Sequence, residues 1–255
     1  MSTPTQRALV TGASAGIGAA FVRRLAGKGY RLTLVARDRA RLDALAQEIG
    51  GAEVLIADLA NDAQRRQIET HLATAPAYDL VINNAGFGTM GNFAGLDVER
   101  EEQEVQLNVV ALMRLTRAAL PSMIAAGRGA IINVSSVAGF QPGPKTATYS
   151  ATKAFVTSFT ESLSEELRGT GVQVQALCPG FTQTEFQARA HIDASAVPSI
   201  AWMTAEAVVD EALAALTQQK VICIPGFHNR ALVALTSSMP RGVVRRVAAT
   251  LAKNF

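Results

Sequence analysis

The 255 residues carry 24 Lys and Arg against 21 Asp and Glu, and 49% are hydrophobic while only 18% are charged. A net charge of +3 argues for neither nucleic acid nor a membrane surface as partner, and the length suffices for one large α/β core. Two cysteines, Cys178 and Cys223, make no disulfide framework and read as buried thiols of a reduced, intracellular protein.

The first residues, MSTPTQRALV, lack the apolar core of a signal peptide, and no stretch approaches the roughly 18 uninterrupted apolar residues of a spanning helix; a cytoplasmic chain is expected. In chain order, short apolar runs predict strands at 7–11, 31–36, 52–57, 79–83, 130–135, 172–178 and 221–224. Most are continuous rather than alternating, the pattern of parallel strands covered on both faces. Amphipathic segments such as IGAAFVRRLAGKG, DRARLDALAQEIG and AFVTSFTESLSEELRGTG lie between them. Gly29, Gly50 or Gly51, and Gly169 or Gly171 fall where these helices should stop. Repeated βα units with right-handed crossovers give a doubly wound open sheet or a closed barrel, and composition does not choose. No repeat, low-complexity tract or linker divides the chain, so residues 1–255 are expected to form a single domain.

TGASAGIG, Thr11 to Gly18, follows the first strand. Glycines there let backbone amides approach a pyrophosphate, and the following helix offers unpaired N–H groups and its positive dipole end. A tight turn that binds nothing is the plain alternative. Placement at the first βα turn favours a dinucleotide site, and with it the open sheet. The same letters hold a rival, because Gly12-Ala13-Ser14-Ala15-Gly16 matches the G-x-S-x-G elbow of serine hydrolases. Such an elbow needs an oxyanion loop from an earlier strand, and only the residues up to Thr11 precede it. His71 lies in an early helix, His191 and His228 lie late, and none is clearly paired with an acid. No metal-ligand spacing occurs: HExxH is missing and the cysteines are far apart.

Further motifs follow in order: NNAG (83–86), LNVVA with Asn108, INVSS ending at Ser136, Tyr149-x-x-x-Lys153, and CPGFTQT (178–184). This series resembles the short-chain dehydrogenase/reductase family in its single-domain branch, over Arg7 to about Ile224. The resemblance implies a Rossmann-type doubly wound parallel sheet of about seven strands with helices on both faces, and a nicotinamide cofactor across the C-terminal strand ends. It implies that Gly12, Gly16 and Gly18, with Ile17, form the turn beneath the pyrophosphate. Ser14 offers a hydroxyl contact to a 2′-phosphate. Asp58, with Leu59, matches the position contacting adenine. Asn84, Ala85 and Gly86 match the ribose side, and Pro179, Gly180, Thr182 and Thr184 the segment that holds the carboxamide. It also implies a homodimer or homotetramer formed through the helices bearing Asn108 and Tyr149.

Interconverting a ketone and an alcohol needs hydride transfer, supplied by the cofactor, and a separate proton group at the oxygen, supplied by the protein. A free tyrosine has a pKa near 10, and a fixed cation nearby lowers it. Positions i and i+4 share a helix face, so Lys153 is placed to act on Tyr149. Tyr149 is therefore expected to be the general acid/base, with Lys153 tuning it and, by the resemblance, holding the nicotinamide ribose together with Tyr149. Ser136 is expected to polarise the substrate oxygen, and Asn108 to organise a water-linked proton route behind the lysine. Without context, Tyr149 and Lys153 would be a helix-surface pair; Ser136, thirteen residues upstream, is what argues against that.

The second strand ends in LVARDRAR, with Ala36 at the position of the ribose-binding acid and Arg37 next. An arginine there offers charge-assisted hydrogen bonds to a 2′-phosphate, so NADP(H) is favoured over NAD(H). Asp38, also about 20 residues past the glycines, is read as a helix cap. By the resemblance, residues 182–203 form a loop over the substrate. Phe181, Phe186 and Trp202 there, with Met203, Phe87, Phe140 and Gln141, offer an apolar lining of which about half should simply pack beneath the loop. A hydrophobic carbonyl or alcohol is the substrate expected. The tail, 226–255, is basic and amphipathic, with Val243, Val244, Val247 and Leu251 near arginines; a packed helix is expected, and peripheral membrane contact is the alternative. Three function classes stay open: an oxidoreductase, a serine hydrolase at Ser14, and a dinucleotide-sensing protein without turnover.

Overall fold

The computed structural model describes residues 6–190 and 198–251. The chain begins β1 (Arg7–Thr11), α1 (Gly16–Ala26), β2 (Arg31–Ala36), α2 (Arg39–Glu48), β3 (Glu53–Ile56), α3 (Asp62–Thr74) and β4 (Leu80–Asn83). It continues α4 (Val98–Val105), α5 (Leu112–Ala126), β5 (Gly129–Val134), α6 (Ala147–Glu166) and β6 (Val172–Leu177). It closes with β7 (Thr182–Gln183), α7 (Phe186–Arg189), β8 (Met203–Thr204), α8 (Ala205–Thr217), β9 (Ile222–Cys223), α9 (Phe227–Ser238) and α10 (Arg241–Leu251).

Seven strands form one parallel sheet in the order β3-β2-β1-β4-β5-β6-β9, an open sheet rather than a barrel. Alternate residues of the central strands feed two cores. Val10, Leu34, Ile82 and Ile132 face α1 and α8, while Leu9, Val35, Val81 and Ile131 face α3 and α5, all fully buried. The chain winds outward from β1 through β2 to β3, then returns to place β4 on the other side of β1. That reversal opens a crevice at the carboxyl ends of β1 and β4, where a ligand of such a sheet lies.

All seven predicted strands are present, with no end shifted by more than one residue. The two-residue ladder of β7 and β8, which pairs Thr182 with Met203 and Gln183 with Thr204, was not predicted. Two-residue strands carry no hydrophobic period to read. This ladder pins both ends of the segment 182–203, of which residues 191–197, including His191, lie outside the described residues.

Between α4 and α5 the chain makes a π-turn, Gln106–Ala111, so that residues 98–126 form one continuous helix. By length and composition alone this helix is apolar enough to cross a membrane. In the fold its inner face packs on α3 and the sheet, with Leu112, Leu115, Ala119 and Met123 buried. Both cysteines are buried and unpaired. The tail is less packed than expected: Val244 is buried, but Val243 and Val247 are exposed, because α10 turns only one narrow stripe inward. The side chain of Leu251 and all of the N-terminal segment 1–5 lie outside the described residues.

Candidate active site

The turn after β1 is built for close backbone approach. Gly12 takes φ +63° and Gly16 φ +53°, and a Cβ on Gly18 would stand 2.3 Å from the Gly12 carbonyl oxygen. Thr11 ties this turn to the one after β4. Its hydroxyl donates to Ile82 O (3.2 Å) and accepts from Asn84 N (2.9 Å) and Ala85 N (3.0 Å). The Asn84 amide answers by donating to Thr11 O (2.9 Å) and Gly12 O (3.2 Å). Asn84 thus braces the glycine turn, a role that its motif position did not reveal. Ala15, the residue capping α1, has no side-chain cap, so the first-turn N–H groups of α1 remain available to an anion. A side-chain-free cradle ending in uncapped helix N–H groups fits a dinucleotide pyrophosphate.

Beyond β5, the strand end and α6 are locked together. Ser135 Oγ donates to Lys153 O (2.8 Å), and Lys153 Nζ donates to Val134 O (2.9 Å). Ser136 lies one residue on, buried, its hydroxyl within 3.4 Å of Pro179 O and accepting from Ala138 N. Tyr149 sits in the first turn of α6, with the Lys153 ammonium 5.6 Å from its ring centre. Asn108, buried in the π-turn, accepts from Phe87 N (3.1 Å) and donates to Phe87 O (2.8 Å) and Thr152 Oγ1 (3.1 Å). Thr152 in turn donates to Tyr149 O (2.7 Å). A Cβ on Gly86 would lie 2.9 Å from Asn108 Oδ1 and 3.6 Å from Lys153 Nζ, so Gly86 lets these groups meet. The structure therefore brings Asn108, Ser136, Tyr149 and Lys153 together around the end of β5.

The electrostatics differ from the sequence expectation in one respect. Burial pushes the Tyr149 phenol up to about 12, with Glu104 adding to the rise and a Ser136 hydrogen bond opposing it. Desolvation outweighs any pull from the lysine, whose Nζ is turned to Val134 O. Burial also takes Lys153 down to about 8, against the opposing effect of Glu104 and Cys178. Glu104, two turns along the helix from its start and fully buried, is itself pushed up to about 7 by burial. Sequence reading counted Thr11 in the glycine motif without a role of its own, and it missed Thr89, Thr152 and Glu104, to which no motif assigns a role.

At the adenosine end, Arg37 Nη1 lies 3.7 Å from Asp58 Oδ2, at the mouth of the crevice. Asp58 also accepts from Ala60 N (3.0 Å), which fixes Leu59 between them. Asp38 accepts from Arg41 N (3.1 Å), as a cap of α2 should. Arg41 reaches across to Glu185, 2.8 Å away, joining α2 to the segment after β7.

The segment after β6 folds over the glycine turn, and Thr184 packs against Gly16, 3.1 Å from where a Cβ would be. Thr182 donates to Gly180 O (3.1 Å), and Gly180 rests on the buried Asn229 of α9, another residue without a sequence signal. Of the proposed lining, Phe186 stacks obliquely on Tyr149 with ring centres 5.6 Å apart. Phe181 pairs instead with Trp202 (5.4 Å), alongside Met203 of β8, and Phe87 lies under the Arg100 guanidinium (3.9 Å). Phe140 and Gln141 close the short helical turn that follows Ser136 and are partly buried.

Ser14 does not meet His71, which bonds Tyr78 Oη (2.8 Å) just before β4, at the amino ends of the strands, while Ser14 follows the carboxyl end of β1. Among the described residues no group of three His, Cys, Asp or Glu side chains is placed to hold a metal ion.

Residues 6–194 match the family model described as short chain dehydrogenase. The NADP-dependent 3-hydroxy acid dehydrogenase YdfG of Salmonella typhi is 39% identical over 189 residues, 70% of this chain and 73% of that protein. A short-chain dehydrogenase from Sphingobium yanoikuyae, solved in complex with NADPH, is 38% identical and superposes with a TM-score of 0.83 over 92% of this chain and 96% of its own. The bulky-bulky ketone specific alcohol dehydrogenase from Comamonas testosteroni is 32% identical with a TM-score of 0.80, over 94% of this chain and 96% of its own.

Proposed function

We propose that this chain, which belongs to the short-chain dehydrogenase/reductase family, interconverts a ketone and a secondary alcohol with NADP(H), using Tyr149 as general acid/base. The observation that carries the reading is the convergence of Ser136, Tyr149 and Lys153 on the end of β5, beside a glycine turn fitted to a dinucleotide. The nicotinamide, when bound, supplies or accepts the hydride. In reduction, the Tyr149 hydroxyl donates its proton to the carbonyl oxygen, and in oxidation the phenolate takes it back. Ser136 Oγ hydrogen-bonds the same oxygen and holds it against Tyr149. Lys153 keeps a positive charge beside the phenol and stabilises the phenolate left after transfer. Asn108 holds Phe87 and Thr152, and through Thr152 the backbone of Tyr149.

The preference for NADP(H) rests on Arg37 following Ala36 where a carboxylate would repel a 2′-phosphate. An NADP-dependent relative and an NADPH-bound neighbour support it. A hydrophobic substrate is supported by the Phe186 ring against Tyr149. Subunit contacts through the helices bearing Asn108 and Tyr149 remain part of the proposal, supported by Met113 and Phe155 exposed on them, Phe155 stacked on Phe159. A cytoplasmic location fits two buried, unpaired thiols.

The test is NADPH oxidation with a panel of ketones and keto-esters, compared with Tyr149→Phe. Turnover lowered about 10²–10⁴-fold in the variant, with NADPH binding kept, supports the reading. Tight NADPH binding with no turnover on any ketone would make the chain a dinucleotide sensor instead.

A further inference from the structure

Four residues before Asn108, the helix turns a carboxylate towards the catalytic pair. Glu104 is completely buried. Its Oε2 accepts from the backbone N–H and the hydroxyl of Thr89, both at 2.9 Å, while its Oε1 has no hydrogen-bond partner among the described residues. Burying a carboxylate with one oxygen unanswered is costly unless a charge or a proton compensates it. Neither Thr89 nor the helix supplies that compensation.

The charged and titratable groups around Glu104 are few. On its own helix stands Glu101, also buried, with both oxygens unpartnered. The helix of Glu104 packs on α6, and Asn108, one turn past Glu104, donates to Thr152 beside Lys153 and meets the lysine ammonium across Gly86. This sets Glu104 within electrostatic reach of Lys153 and Tyr149. Beyond Lys153 lies the buried Cys178 thiol, and Arg100 is turned away over the Phe87 ring. Among the described residues, Lys153 is thus the one cation that acts on Glu104, and Glu104 the one carboxylate that acts on Lys153.

We propose that Glu104 is a positioning residue for the Tyr149–Lys153 pair: ionised, it is the internal counter-charge that keeps the Lys153 ammonium protonated and holds the phenolic proton on Tyr149. The inference rests on the acid/base assignment of Tyr149. When Glu104 is neutral, Lys153 loses its counter-charge and Tyr149 gives up its proton more readily. When it is charged, both groups hold theirs. The carboxyl lies near 7, between its ordinary value and the lysine, so this exchange falls in the working range. Glu101, a second carboxyl on the same helix, favours the neutral form of Glu104.

Glu104→Gln keeps the shape and removes the charge. Both consequences act in one direction: Lys153 deprotonates earlier, and so does Tyr149. For ketone reduction, the alkaline limb of the kcat/KM profile should move down by about one pH unit. A readout independent of turnover is the carbonyl band of a protonated buried carboxyl, followed by infrared difference titration of the protein without substrate. It should fade with a midpoint near 7 in the wild type and be missing in Glu104→Gln. By reciprocity of coupling, Lys153→Met should raise that midpoint. Thr89→Val, which removes one hydrogen bond to the carboxylate, should raise it too and serves if Glu104→Gln folds poorly. An alkaline limb that stays in place in Glu104→Gln, with a midpoint unmoved by Lys153→Met, would overturn the proposal and leave Glu104 a structural residue. If no ketone is turned over, the infrared arm still decides the coupling, so the two readings fail separately.

Discussion

Lys153 donates its ammonium to the carbonyl of Val134, 2.9 Å away, on the strand that delivers Ser136 two residues later. The lysine is therefore held by the same strand end that holds the substrate-polarising hydroxyl. The spacing of Tyr149 and Lys153 along α6 sets one coordinate of the site, and this bond to β5 sets the other.

Arg37 stands half-free at the crevice mouth, with Asp58 its neighbour at 3.7 Å. Arg37→Ala should weaken NADPH binding by about ten- to hundredfold, the worth of a charge-assisted hydrogen bond, and NADH binding little. Fluorescence titration of both cofactors checks this. Equal weakening of the two would remove the 2′-phosphate assignment.

Thr11→Val preserves volume but leaves Asn84 N and Ala85 N without their acceptor. Unpaired buried donors cost about 1–3 kcal/mol each. The variant should melt several degrees lower and bind either cofactor more weakly, because the glycine turn loses its tie to β4. An unchanged melting temperature would show that the tie carries no stability.

The pH dependence of stability follows from Glu104. Its folded-state value of about 7 lies above the ordinary 4.5, so its contribution is fully present below about 4.5 and is lost as pH rises through 7. Between pH 5 and 8 the wild type should lose of order 2–3 kcal/mol relative to Glu104→Gln. Lys153, shifted down to about 8 from 10.5, acts with the opposite sign and enters only at the upper edge of this window, so the loss is read most cleanly between pH 5 and 7. Paired thermal melts across the range decide it; parallel curves would contradict the burial of an ionising carboxyl.

Phe186 supplies an apolar face next to the phenol, and Trp202 braces Phe181 on the same segment. Replacing Phe186 and Trp202 together by Ala should lower kcat/KM for bulky ketones about ten- to hundredfold, from the burial forfeited. Small ketones should suffer less. Activity unchanged for both would exclude this wall from the substrate pocket.

Much of this was legible beforehand for a physical reason. Continuous Val, Ile and Leu runs such as RLTLVA have only one use in a sheet covered on both faces, and the glycines at 12 and 18 stand where nothing larger fits. The motif residues Ser136, Tyr149 and Lys153 could be named from their order in the chain. What spacing could not give was the direction of the phenol's shift, because desolvation depends on how deeply the cleft closes. The tie from Thr11 to the turn after β4, and the parts played by Thr89 and Glu104, were invisible for a related reason: they rest on long-range contacts between loops and helices. The pairing of Phe181 with Trp202, rather than with the phenol, depends on the ladder of β7 and β8, too short to leave a pattern.

The π-turn at Gln106–Ala111 leaves the phase of the helix untouched. Glu101, Glu104, Asn108, Leu112 and Leu115 follow one another at spacings of 3, 4, 4 and 3, the ordinary α period, and all are buried, so one inward stripe runs through the turn unbroken. What the turn changes is girth, since its ring of backbone closes over one residue more than an α-turn. The swelling sits at Asn108, the residue that ties Phe87 to Thr152. The helix is one shaft with a single collar, and the collar is where the catalytic helix is fastened to it.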